Sequence, residues 1–249
     1  MNHHCSRAAA LGLAAVLTAA SLTGCGATPE GYTYTEAMLD LYYENDPSAY
    51  MEMTGATEEE AAELYDSAMN RTMSYFKTYY SVTKWDDATR DQCLELYERI
   101  YKEKAQYKVL SCTTGSTNQW TVTIETTPFN LFTDADEDYI TYLEGFRDDY
   151  ESGKVTYEDK DEYLMDYADG VVDVVEEHFD TADYGEATTM TITVTKNEDG
   201  TYELEENDKA FLDVAILPYP EVETEEETAS GEESETSSET EAAEEETAE

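Results

Sequence analysis

Apolar residues along this chain keep a helical period from Thr35 to about Gln106, change to a period of two, and then repeat the same succession. Thr35 to Asn45 is predicted to be a first helix, with Thr35 as N-cap, Met38, Leu41 and Tyr42 on one face, and Asp46-Pro47 ending it. A second helix opens on the capping box Thr57-x-x-Glu60 and carries Ala61, Leu64, Tyr65, Ala68, Met69, Met73, Phe76 and Tyr80 at helical spacing. A third spans about Asp87 to Gln106, where Cys93, Leu96, Tyr97 and Ile100 stand at i, i+3, i+4 and i+7. That register puts Cys93 on the buried face.

The period then changes. Leu110 and Cys112 alternate with Ser111 and Thr113, and Trp120, Val122 and Ile124 alternate with Thr121, Thr123 and Glu125, which predicts a hairpin with one apolar and one threonine-rich face. Pro128 to Phe132 is an apolar connector. Two more helices follow, from about Asp136 to Glu151 (Tyr139, Ile140, Leu143, Phe146, Tyr150) and from Tyr157 to Phe179 (Tyr163, Tyr167, Val171, Val174, Val175). A second hairpin has Met190, Ile192 and Val194 inward and Tyr202 and Leu204 on its return strand. Val194 opposite Leu204 leaves Glu198-Asp199-Gly200 as its loop, with Gly200 left-handed. A last helix from Asp208 to Ile216 turns Phe211 and Leu212 inward.

These elements imply one α+β domain over residues 35–218, with helices packed on one face of an antiparallel sheet built from two hairpins and a wet, threonine-rich opposite face. Two helix-helix-hairpin halves also suggest a duplication.

The leader is of another kind. Arg7 precedes the apolar run Ala8 to Ala20, too short to span a bilayer, and Leu22-Thr23-Gly24-Cys25 closes it. Those four residues resemble the bacterial lipobox, which implies cleavage between Gly24 and Cys25 and a diacylglyceryl group on the Cys25 sulfur. Residues 1–24 are then a lipoprotein signal peptide and 25–34 a lipid-anchored spacer. Two acyl chains would hold the protein to the extracytoplasmic face of the cell membrane, where one chain binds only reversibly.

Charge narrows the partners. The chain has 59 acidic against 14 basic residues, and residues 221–249 hold 14 glutamates and no base. Residues 219–249 therefore read as a disordered acidic tail. The remainder is still strongly acidic, so nucleic acid, which needs a basic footprint, is excluded. Divalent cations are expected to gather weakly on such a surface.

The lipobox, the pairing of LYERIYKEKAQYKV with WTVTIETTPFNLF, and the ending TMTITVTKNEDGTYELEENDKAFLDVAIL together resemble cell-surface lipoproteins of low-GC Gram-positive bacteria, many from the gut. The resemblance covers most of residues 22–217. It implies a fold and a location, and brings no activity with it.

Candidate chemistry is sparse. Cys5 leaves with the signal peptide and Cys25 carries lipid, so Cys93 and Cys112 are the pair that could form a disulfide; seven extended residues can bring the strand back along the helix. The one histidine of the mature chain, His178, lies at a helix end without a nucleophile elbow, a placement that suits the helix dipole. Asp134, Asp136 and Asp138 start a calcium-loop register, but Tyr139 takes the required glycine position and Gly145 the glutamate position. They read as an N-cap and first-turn cluster. No metal site, cofactor or catalytic residue is therefore expected. Most of the 21 tyrosines fall at core spacing, while the doublets Tyr42-Tyr43 and Tyr79-Tyr80 should each leave a ring exposed to a partner. The implied function is an accessory or binding module of the cell envelope for a glycan or protein ligand. The alternative is a surface glycan hydrolase working through two facing carboxylates.

Overall fold

The computed structural model describes residues 29 to 220, so the expectations for Gly24, Cys25 and the glutamate-rich tail from residue 221 onward lie outside the described residues. Eight helices and four strands follow in chain order. They are α1 (Glu30–Leu39), a π-helical turn (Asp40–Glu44), α2 (Ser48–Thr54), α3 (Glu58–Tyr79), α4 (Asp87–Glu103), β1 (Gln106–Thr114), β2 (Gln119–Thr127), α5 (Leu131–Asp134), α6 (Asp136–Glu151), α7 (Lys160–Glu177), β3 (Thr188–Lys196), β4 (Tyr202–Leu204) and α8 (Glu206–Ile216). The fold is α+β. Two hairpins make one antiparallel sheet of order β1-β2-β3-β4, and α1 lies across β1, β2 and β3.

Local chemistry explains the helix starts. Glu60 N–H donates to Thr57 Oγ1 at 3.2 Å, and Thr57 N–H donates back to Glu60 Oε2 at 2.8 Å, closing the expected capping box of α3. Asp86 and Asp159 cap α4 and α7 in the same way, each accepting the backbone N–H three residues on at 2.9 Å. The core face of the sheet is Val122, Ile124, Ile192 and Val194, against Met38, Phe76, Cys93, Tyr97 and Ile100 of the helices. Ser111, Thr113, Thr121, Thr189 and Thr191 form the opposite, exposed face. Val194 pairs with Leu204, and Gly200 has φ +90°, so the second hairpin turns as its register requires.

Several expectations are corrected. Helix α1 begins at Glu30, so the spacer 25–34 loses Glu30–Tyr34 to the fold, and Tyr34 is buried. The reason is Gly31. A Cβ there would stand 2.5 Å from the Trp120 side chain, so only a residue without one lets α1 lie this close to β2. At the other end, Tyr219, assigned to the tail, stacks on Phe132 with ring centroids 4.3 Å apart and shares a 2.8 Å hydrogen bond with Tyr97. The short helix α2 leaves no periodic signal in the sequence, because its seven residues bury nothing completely. Leu110 is exposed: the register steps from Val109 to Ser111 opposite Ile124 and Thr123, so Leu110 is the extra residue of a bulge and Val109 takes the core position. Phe211, Ile140 and Tyr150 also face outward, since α6 has α7 on one side and solvent on the other, and α8 turns only Leu212, Asp213 and Ile216 inward.

Both rings of Tyr42-Tyr43 are buried, against expectation. The π-helical turn widens the spacing there, and the segment is gripped from several sides. Tyr42 lies under the Arg71 guanidinium, while Tyr43 packs on Tyr101 and Tyr107. Tyr43 Oη donates to Asp213 Oδ1 at 2.8 Å, and Arg71 Nε donates to Asp213 Oδ2 at 2.6 Å. Burial pushes the Asp213 carboxyl above the usual carboxylate value, and Arg71 and Tyr43 pull it back toward the charged form.

Two substitutions test these contacts. Gly31→Ala should cost about 1–3 kcal/mol in urea unfolding, because the added methyl must displace Trp120 or lift α1 off the sheet. Arg71→Met, which leaves Asp213 buried without its cation, should cost about 3–5 kcal/mol. A loss under about 1 kcal/mol would show that water reaches that carboxylate.

Candidate functional site

The C-terminal half of α3 and the chain leading into α4 line a cleft of about 610 Å³. Helical geometry places Asn70, Ser74, Lys77 and Thr78 on one face of α3 at i, i+4, i+7 and i+8. After Tyr80 the chain reverses through Ser81, held in the left-handed region at φ 55°, and Val82 N–H donates to Lys77 C=O at 2.9 Å. Val82 and Met73 are buried at the floor. Trp85 is half-buried at the far wall, and Lys77 Nζ sits 4.8 Å above the centre of its ring.

The charge of this cleft differs from that of the body around it. None of its lining residues is acidic, and two are basic, Lys77 and Arg90. Arg90 is occupied by its neighbour Asp91 at 2.7 Å. Lys77 makes no ion pair among the described residues. A half-exposed indole beside amide, hydroxyl and ammonium groups can stack on an apolar face of a ligand while bonding its polar edge.

The other clefts are acidic. Glu36, Asp40 and Glu44 line one of about 450 Å³ beside β1, together with Tyr107 and Lys108. Burial, with Glu44, Asp46 and Glu36 nearby, raises the Asp40 carboxyl above its ordinary value. These three acids follow one helical track and so share a wall. Glu125 reaches an adjoining cleft of about 330 Å³ that also touches Glu44, but in the sheet it lies opposite Lys108. Glu60 and Glu63 line a further cleft of about 560 Å³ against Tyr50, Leu64 and Tyr202, again from a single helix, with Glu60 committed to the capping box.

The residues singled out in the sequence do not converge. Asp134 accepts from Asp183 N–H at 2.8 Å, Asp136 from the Tyr79 hydroxyl at 3.0 Å, and Asp138 lies 2.9 Å from His178 Nε2. Each acid thus has its own partner. Ala135, and not one of the three aspartates, holds the N-cap position of α6. Cys93 is buried on α4 and Cys112 half-buried on β1, both as free thiols. Of the doublet Tyr79-Tyr80, Tyr80 is buried and Tyr79 is half-buried against Tyr219. The Trp85 cleft was missed because its residues come from one face of α3 and a loop with no motif. A signal was available: a tryptophan between two amphipathic helices, in the polar run Thr83-Lys84-Trp85-Asp86, has no core position of its own to fill.

No protein-family model and no curated protein matches the chain. Among solved structures the fold is similar to that of YcdA, a candidate lipoprotein of Bacillus subtilis, at a TM-score of 0.55 and 15% identity, over 76% of this chain. The match spans 56% of the YcdA chain, and at this identity the likeness is one of fold.

Thiol chemistry provides a test of the placement of Cys93. Burial pushes its thiol up to about 12; burial also raises the half-buried Cys112 thiol, with a backbone hydrogen bond from Tyr32 opposing the shift. In a chain expressed without residues 1–24 and carrying Cys25→Ser, at pH 8, Cys112 should react with a disulfide reagent slowly and Cys93 only after unfolding. Equal rates in the folded protein would contradict the packing of α4.

Proposed function

We propose that the protein is a lipid-anchored, extracytoplasmic binding module of the bacterial cell envelope, held to the membrane through Cys25. The observation that carries the binding reading is the acid-free cleft between Lys77 and Trp85, set in a chain of net charge −45. The anchor rests on Leu22-Thr23-Gly24-Cys25, and the fold shared with a candidate lipoprotein agrees with it. Among the described residues no helix is long and apolar enough to cross a membrane, so the attachment is assigned to lipid.

Because α1 starts at Glu30, the folded part is tethered by five residue steps from Cys25, at most about 17 Å at full extension. That is little more than two Debye lengths of ~8 Å, so an acidic domain is pushed away from anionic lipid while its tether holds it close. Binding is assigned without catalysis. Where two acids line one cleft, they follow one helical track or share the cleft with a lysine, as Glu44 and Glu125 do with Lys108 and Glu44 and Glu98 with Lys102, and neither arrangement favours a raised acid facing an ionised partner across a substrate.

Cys25→Ser should remove the lipid and the cleavage, leaving an unlipidated precursor that keeps residues 1–24, with an unchanged melting temperature because the fold begins after the tether. Cell fractionation and the mass of the mature N-terminus measure this. Wild-type protein with an unmodified Cys25 would contradict the anchor.

A further inference from the structure

We propose that the Lys77–Trp85 cleft binds a saccharide unit carrying one carboxylate, as part of a glycan strand of the envelope. This rests on the binding-module reading above and names its ligand. Four observations lead there. Trp85 presents a half-exposed indole at the wall of the cleft, whereas Trp120, the other tryptophan, is buried against α1 and the sheet. A flat aromatic face in a polar cleft suits the apolar C–H face of a pyranose ring, which few other biological ligands combine with a rim of hydroxyls.

The polar lining is also free for such a ligand. The side chains of Asn70, Ser74 and Thr83 make no hydrogen bond to another described residue, and together they offer amide and hydroxyl donors and acceptors at the rim. Lys77 provides the charge. Its ammonium has no carboxylate within ion-pair distance among the described residues and rests over the Trp85 ring at 4.8 Å. On binding, the sugar takes the ring face and the flexible lysine stem swings the ammonium onto the ligand's carboxylate, exchanging a cation–π contact for a charge-assisted hydrogen bond.

The last observation sets the charge of the ligand. A polymer with a charge on every unit would be repelled by the field of a chain with 59 acids, while a single carboxylate on an otherwise neutral sugar meets Lys77 at little cost. A volume of about 610 Å³ falls in the range of small-ligand sites.

The test is calorimetric titration of the mature lipidated protein in detergent with three probes. They are the disaccharide of N-acetylglucosamine and N-acetylmuramic acid, whose lactyl group bears one carboxylate; the neutral disaccharide of N-acetylglucosamine; and a glycerol phosphate oligomer as the densely charged comparison. The carboxylated disaccharide should bind most tightly. Lys77→Gln should weaken it about tenfold and leave the neutral disaccharide unchanged, and Trp85→Ala should abolish both. An unaltered urea midpoint for Lys77→Gln excludes misfolding as the cause. The proposal is overturned if Lys77→Gln binds the carboxylated disaccharide as the wild type does, or if the oligomer binds more tightly than either sugar. Retention of the wild type and both variants alike on isolated cell walls would leave the module reading standing and this site wrong. Binding to neither walls nor disaccharide would remove both.

Discussion

The hydrogen-bonded ion pair of Arg71 with Asp213, closed by the Tyr43 hydroxyl, is the constraint on which the arrangement of helices depends. It joins the π-helical turn, the middle of α3 and the last helix, and spans 170 residues between Tyr43 and Asp213. A buried pair of this kind adds little net stability over an apolar replacement, but it penalises every arrangement that separates its members. It therefore sets the position of α3 against both ends of the folded chain. Arg71 and Lys77 lie on different faces of that helix, so one side is committed to the clamp while Asn70, Ser74 and Lys77 remain free along the other.

Charge is distributed with the same division. Most of the basic residues of the described part are spent on ion pairs, such as Arg99 with Glu176 and Lys196 with Glu30. Exposed pairs of this type are worth little each, and their effect is to locally offset an excess of acid that would otherwise oppose compaction. Lys77, Lys102, Lys108 and Lys160 make no ion pair among the described residues, and Lys77 differs from the other three in resting over an indole in an acid-free cleft. The acids of the other clefts come mostly from helical tracks, as Glu36, Asp40 and Glu44 do, which suits solubility.

Much of the fold was legible in the sequence where a single rule decided the outcome. The capping box at Thr57, the inward register of Cys93 and Ile100, and the pairing of Val194 with Leu204 each followed from spacing alone. The failures came where tertiary contacts override periodicity. Leu110 has the apolar character of a core residue, yet a bulge gives that place to Val109, and a bulge is invisible to a period-two pattern. Tyr42 and Tyr43 are both buried because a π-helical turn lies among α3, α4 and β1, which no single helical wheel describes. Gly31 has the composition of a spacer, and only its contact with Trp120 places it in the fold. The cleft was the least legible part, since Trp85 and Lys77 become neighbours only through the reversal at Ser81.

Amide and indole NMR of the protein tests most directly the proposal that ligand contact is confined to the acid-free Lys77–Trp85 cleft. On addition of the carboxylated disaccharide, the indole N–H of Trp85 and the amides of Ser74 through Thr83 should shift in a saturable way, while the indole N–H of Trp120 and the amides of Asp40, Glu44 and Glu125 stay in place. Saturable shifts centred on the acidic clefts beside β1, with Trp85 unmoved, would contradict it.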